Sequence, residues 1–102
     1  MAVEVSDAPG ANRYEAYVDG ESKPAGITQY IRTAELVAFE YTEVEPAHVG
    51  RGVGSALARA ALDDAHTANL RVLVTYPFFT GWIARHPDYQ DLLYQSRSRV
   101  SD

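Results

Sequence analysis

No cysteine occurs anywhere in the 102 residues. That excludes disulfides, thiolate zinc sites and a cysteine nucleophile. Long apolar runs are missing too, since no stretch approaches the roughly 18 residues needed to span a membrane. The N-terminus, Met1-Ala2-Val3-Glu4-Val5-Ser6-Asp7, has neither a basic n-region nor an apolar h-region, so no signal peptide is expected. Basic residues are scarce, with 9 Lys and Arg against 14 Asp and Glu and a formal net charge of −5. Nonspecific nucleic-acid binding needs a basic face and is not expected. The negative charge mildly favours cationic or amine substrates, and its first use is to keep a small domain soluble. The three histidines, His48, His66 and His86, are spaced wrongly for a metal site, so no metal is expected. These absences point to a cytoplasmic protein with no membrane or nucleic-acid partner, and a monomer or weak dimer is expected.

What is present fits one globular domain over residues 1–102, with 46% hydrophobic residues and loosely ordered ends at 1–12 and 95–102. A short edge strand over Val3 to Val5 precedes turn chemistry at Asp7 to Asn12. Arg13 to Val18 alternates and reads as a strand. Asp19-Gly20 and Lys23-Pro24 form a loop. Gly26 to Arg32 is a second strand, with Ile27 and Ile31 on one face and Thr28 and Tyr30 on the other. After Thr33-Ala34-Glu35, Leu36 to Val44 is the third. Three strands with short links suggest an antiparallel meander. A helical run from Val53 to Ala68 puts Leu57, Ala58, Ala61, Leu62, Ala65 and Ala68 on one half, with Asp64 at the edge of that arc. Asn69 is suited to a left-handed cap. Arg71 to Tyr76 reads as a strand parallel to Leu36–Val44. Phe78 to Arg85 looks helical and assigns Phe79 and Trp82 to the core. His86-Pro87 stops it, and Tyr89 to Tyr94 forms a last turn or two.

The chain is organised around Val49-Gly50-Arg51-Gly52-Val53-Gly54-Ser55. Three glycines alternate with larger residues between a strand and a helix. Glycine turns where a Cβ would clash and lets a ligand approach the backbone. The first helical turn has unpaired N–H groups and the positive end of the dipole. Together they form a cradle for phosphate, with Arg51 at its edge.

A meander followed by strand, glycine cradle, helix, strand and helix resembles the GNAT superfamily of acetyl-CoA-dependent N-acetyltransferases. The superfamily pattern Arg/Gln-x-x-Gly-x-Gly/Ala falls on Val49 to Gly54, with Val49 in place of the usual polar residue. The likeness is greater to a short, single-domain GNAT subgroup. It is carried by Arg13-Tyr14-Glu15, Val18-Asp19-Gly20, Thr42-Glu43-Val44, Gly50 to Leu62, Pro77-Phe78 and Arg85-His86-Pro87-Asp88-Tyr89. That subgroup commonly has cysteine where this chain has Tyr76, and histidine where it has Tyr41.

The resemblance implies an α/β (α+β) fold with a mixed sheet whose parallel strand pair splays for coenzyme. It implies that pantetheine lies in the gap, along Thr42, Glu43 and Val44 with Tyr76, Pro77 and Phe78 opposite. Acetyl-CoA is then the coenzyme, a primary amine such as a protein lysine or a polyamine the acceptor, and transfer is direct. Deprotonating a lysine-like amine at pH 7 costs roughly 4.6 kcal/mol, so Glu40, Glu43 and Glu45 are candidate bases. A phenol, with an ordinary pKa of about 10, is a poor base and a competent acid. Tyr76 is therefore the candidate proton donor to the departing thiolate, with Tyr41 as a second catalytic candidate. The same two tyrosines favour an alternative, a non-catalytic acyl-CoA-binding or protein-interaction domain.

Overall fold

In a computed structural model, which describes residues 2–94, five strands form one sheet in sequence order. They are β1 (Val3–Ala8), β2 (Arg13–Val18), β3 (Gly26–Arg32), β4 (Leu36–Val44) and β5 (Arg71–Val74). Two helices complete the fold, α1 (Val53–Thr67) and α2 (Pro77–Arg85). Neighbours β1 to β4 pair antiparallel, and β4 pairs with β5 in parallel. This is the mixed sheet with a crossover helix that the residue pattern implies.

Four differences from the sequence expectation have physical causes. β1 runs to Ala8 rather than Val5, pairing with β2 along six residues. The meander therefore has four strands, not three, and the turn chemistry shrinks to Pro9–Ala11 with Asn12 left-handed at φ 55°. β5 ends at Val74 rather than Tyr76, because its partner strand leaves it there. Ala68 is exposed, since the helix has already closed and its N–H bonds the Asp64 carbonyl at 2.9 Å. Residues 95–102, expected to be loosely ordered, lie outside the described residues. Asn69 is left-handed at φ 60°, as its side chain favours.

The core lies between α1, α2 and one face of the sheet. α1 buries Val53, Leu57, Ala58, Ala61, Leu62 and Ala65, and the alanines let its axis run close to the strands. Contact is close at Gly26, where a Cβ would stand 2.9 Å from Val53 Cγ1 and 3.0 Å from the Glu43 carbonyl oxygen. Phe39 of β4 stacks on Phe79 of α2 at 4.7 Å. Tyr14 and Tyr30 are buried on the helix-facing side, and their hydroxyls donate to Asp64 at 2.9 Å and Asp7 at 2.7 Å. This explains an acid at the margin of the apolar arc: Asp64 is the acceptor for a buried phenol. The Ile27–Ile31 face is the opposite one, and Ile31 is 56% exposed.

The sheet has one irregularity, and it lies in β4. Gln29 of β3 pairs with Tyr41, while Tyr30 pairs with Phe39. Glu40 is therefore an extra residue, a β-bulge. Before it, Val37 and Phe39 point into the core. After it, Thr42 faces inward, its hydroxyl 2.8 Å from that of fully buried Thr28. The bulge thus turns Tyr41 and Glu43 to the other side. Pairing between β4 and β5 stops at Phe39 and Val74, on the near side of the bulge. Beyond it the two segments diverge.

Candidate functional site

The divergence opens beside the N-terminus of α1. A 3-10 turn at Pro46–His48 carries the chain out of β4. The Arg51 N–H donates to the His48 carbonyl at 3.3 Å, which spends that donor on the turn itself. Gly50 and Gly52 hold φ values of +82° and +83°, and a Cβ at either would meet nothing within 4 Å. Their glycine requirement is conformational, and open space lies above them. Gly54 differs: a Cβ there would press at 3.3 Å on the Phe78 ring. The three glycines therefore divide into two that shape the loop and one that admits α2.

Gly52 is the N-cap of α1 and no side chain caps it. The first main-chain bond of the helix is donated by the Ala56 N–H to the Gly52 carbonyl at 2.9 Å. The N–H groups of Val53, Gly54 and Ser55 precede it and are the unsatisfied donors of a helix start. They open onto a cleft of ≈ 370 Å³ walled in part by Val44, Val49, Gly50, Gly52, Ser55 and Phe78. Open donors, the positive end of the helix and glycines without Cβ obstruction suit a diphosphate.

The remaining candidates follow the divergence away from this cleft. Pro77 is the first residue of α2 and fixes its start. The Tyr76 hydroxyl donates to the Thr42 carbonyl at 3.5 Å, across the gap. The Tyr41 and Tyr76 rings meet edge to face at 6.3 Å. The Tyr41 hydroxyl donates to Glu43 Oε1 at 3.3 Å. So Tyr41, Thr42, Glu43 and Tyr76 form one group, joined to the cleft through Val44 and Phe78. Glu40 sits in the bulge and Glu45 after the strand; neither walls the cleft. Val49 is 66% exposed and Arg51 is exposed at the loop.

Four further residues wall the cleft without belonging to the glycine motif or the splayed strands: His48, Trp82, Arg85 and His86. Trp82 is buried, as a core residue should be, yet its indole N–H also donates to Ser55 Oγ at 3.0 Å. This bond ties α2 to the first turn of α1. His86 stacks on Trp82 at 3.8 Å, with Nδ1 2.8 Å from the Trp82 carbonyl oxygen. His48 places Nε2 3.7 Å from Glu21, while its buried Nδ1 has no partner among the described residues. The α2 residues carry a readable signal: Phe78, Trp82 and Arg85 stand at i, i+4 and i+7, one helix face. No helix among the described residues is long and apolar enough to cross a membrane.

The GCN5-related N-acetyl-transferase family matches residues 13–92. No curated protein matches the chain. Among solved structures, the chain is similar to Rv2747 from Mycobacterium tuberculosis, determined in complex with CoA and NLQ. The TM-score is 0.60 at 28% identity, over 74% of this chain, and the chain spans 47% of that protein's length. It is similar in fold to a GCN5-like protein from Staphylococcus aureus, with TM-score 0.67, 21% identity, and coverage of 92% of this chain and 90% of that one. A ribosomal-protein-alanine N-acetyltransferase from Brucella melitensis has TM-score 0.57 at 16% identity, covering 88% and 66%. The family match extends from β2 through the glycine loop, both helices and the His86-Pro87 turn, and the chain belongs to the GCN5-related N-acetyltransferase family.

Proposed function

We propose that this chain moves an acetyl group from acetyl-CoA directly to a primary amine, with Tyr76 as the proton donor to the leaving sulfur. The observation that carries the reading is the bulge at Glu40. It ends β4–β5 pairing at Phe39 and leaves Thr42 to Val44 facing a gap that continues into the glycine cleft. The cradle fits a diphosphate, through the open N–H groups of Val53, Gly54 and Ser55 and the bare surfaces of Gly50 and Gly52. The main chain of Thr42, Glu43 and Val44 fits an extended pantetheine arm lying as an added strand.

Acetyl-CoA supplies an activated thioester. The protein's own part is to hold it and to place a proton. The Tyr76 hydroxyl reaches across the gap, which suits it to protonate the leaving group there. Tyr41 packs against the Tyr76 ring and positions it. Glu43, turned outward by the bulge and hydrogen-bonded to Tyr41, is the best-placed carboxylate to receive the acceptor's proton. The absence of cysteine supports direct transfer over an acyl-cysteine intermediate.

The rival reading, a coenzyme-binding domain without catalysis, shares the cradle and differs at the tyrosines. Turnover measured on a panel of primary amines, including a lysine peptide and a polyamine, separates the two. Turnover that is lost in Tyr76→Phe supports the enzyme. Tight acetyl-CoA binding with no turnover on any amine supports the rival.

A further inference from the structure

The segment Arg85-His86-Pro87-Asp88-Tyr89 lies outside the glycine loop and the splayed strands. Most of it serves architecture. His86 is stacked on Trp82 and held to its carbonyl. The Tyr89 hydroxyl donates to Asp63 at 2.8 Å and receives a bond from Arg59 at 3.3 Å. Arg85 is different. It stands in the last turn of α2, exposed, and it walls the same cleft as the glycines. Its guanidinium has no hydrogen bond and no carboxylate within 4.0 Å among the described residues.

The placement of that cation is constrained. Arg85 Nη1 would stand 3.4 Å from a Cβ on Gly81, so the side chain lies back along α2 over a residue that has none. The helix beneath it is pinned to α1 through Trp82 and Ser55. Phe78, which touches Gly54, and Arg85 lie on one face of α2, separated by about 10 Å of helix rise. In a chain of net charge −5, an unpaired arginine held at one end of an anion-binding cleft is a directed feature rather than surplus charge.

We propose that Arg85 binds the 3′-phosphate of coenzyme A and so makes the site selective for the 3′-phosphorylated form of the coenzyme. The inference rests on the acetyl-CoA reading of the cleft. Coenzyme A carries two separate anionic groups, a diphosphate and a ribose 3′-phosphate. The helix N-terminus takes the first. Arg85, farther along the same cleft, takes the second through charge-assisted hydrogen bonds suited to guanidinium.

The test is calorimetric titration of the whole chain with coenzyme A and with 3′-dephospho-coenzyme A, in wild type, Arg85→Gln and Arg85→Lys. In wild type, coenzyme A should bind about tenfold or more tightly than its dephospho form, the scale of one charge-assisted contact. In Arg85→Gln that preference should collapse, with dephospho-coenzyme A affinity unchanged. Arg85→Lys should keep part of it. Equal binding of the two ligands to wild type overturns the inference while leaving the cradle reading standing. A preference that survives in Arg85→Gln assigns the phosphate to another residue and also overturns it. Binding of neither ligand overturns both readings together. The wild-type comparison alone decides selectivity should a variant fail to fold.

Discussion

The hydroxyl of Tyr76 lies 3.5 Å from the carbonyl oxygen of Thr42, reaching from the link between β5 and α2 across to β4 where the two strands have ceased to pair. At 3.5 Å this is a weak bond, one that a ligand lying in the gap can replace. Tyr76→Phe should therefore leave acetyl-CoA affinity within about threefold of wild type. Losing a general acid should lower kcat by about a hundredfold or more. Steady-state kinetics on an accepted amine, with parallel calorimetry, checks both. An equal loss in affinity and kcat would make Tyr76 a binding residue rather than an acid.

Gly52 separates backbone strain from electrostatics. At φ +83° an alanine costs roughly 1–2 kcal/mol, so Gly52→Ala should lower Tm while coenzyme binding is weakened only modestly. Gly52→Asp adds a carboxylate where the phosphates would lie, and like-charge juxtaposition costs several kcal/mol. Its affinity for coenzyme A should fall by about a hundredfold or more. Binding by Gly52→Asp at wild-type affinity would show that the cradle is not the phosphate site.

At Gly26 the sheet comes close against the helix. An added Cβ meets Val53 Cγ1 at 2.9 Å, the Glu43 carbonyl at 3.0 Å and Leu57 Cδ1 at 3.1 Å. The carbonyl belongs to the paired strand and cannot move aside as a side-chain tip can. Gly26→Ala should destabilise by about 1–3 kcal/mol, the range for overpacking, as read by denaturant titration. Because Val53 opens α1, coenzyme affinity should fall alongside stability.

The buried phenols predict alkaline behaviour. Burial, then the hydrogen bond to Asp7, pushes Tyr30 up to about 12, and burial followed by the bond to Asp64 raises Tyr14 as well. In the unfolded chain both titrate near 10. Above pH 10 the unfolded state gives up protons that the folded state keeps. Stability fully present below pH 10 should therefore be lost as the pH rises toward 12. Thermal melts from pH 9 to 12 should show Tm falling in that window, with a shallower fall in Tyr30→Phe.

Much of this arrangement is legible in the residues. Arg13–Val18, Gly26–Arg32 and Leu36–Val44 are strands over those bounds, because alternation and turn residues agree there. The apolar stripe of α1 is readable from its angular spacing. The bulge is not, because Glu40 is an ordinary residue in an unbroken strand pattern and only the register with β3 exposes it. Asp64 looks misplaced in sequence because its partner, Tyr14, lies fifty residues away. The glycines read alike in sequence, yet a neighbouring ring distinguishes Gly54 from the other two. Phe78, Trp82 and Arg85 share a helix face that is legible from their spacing, but its meeting with Ser55 and the glycines is a relation made only by folding.

The extra residue at position 40 divides one continuous strand into two mutational territories. From Val37 to Phe39 the strand has a partner on both sides, so substitutions there should register as melting temperature. From Tyr41 to Val44 the margin away from β3 has no strand partner, so substitutions at Tyr41 and Glu43, whose side chains are turned from the core, should register as affinity and rate at nearly constant melting temperature. Deleting Glu40 would fuse the territories: the two strands could zip onward past Val74, and a better-knit sheet would have no place for coenzyme. Here a more regular protein would be a more stable and less capable one.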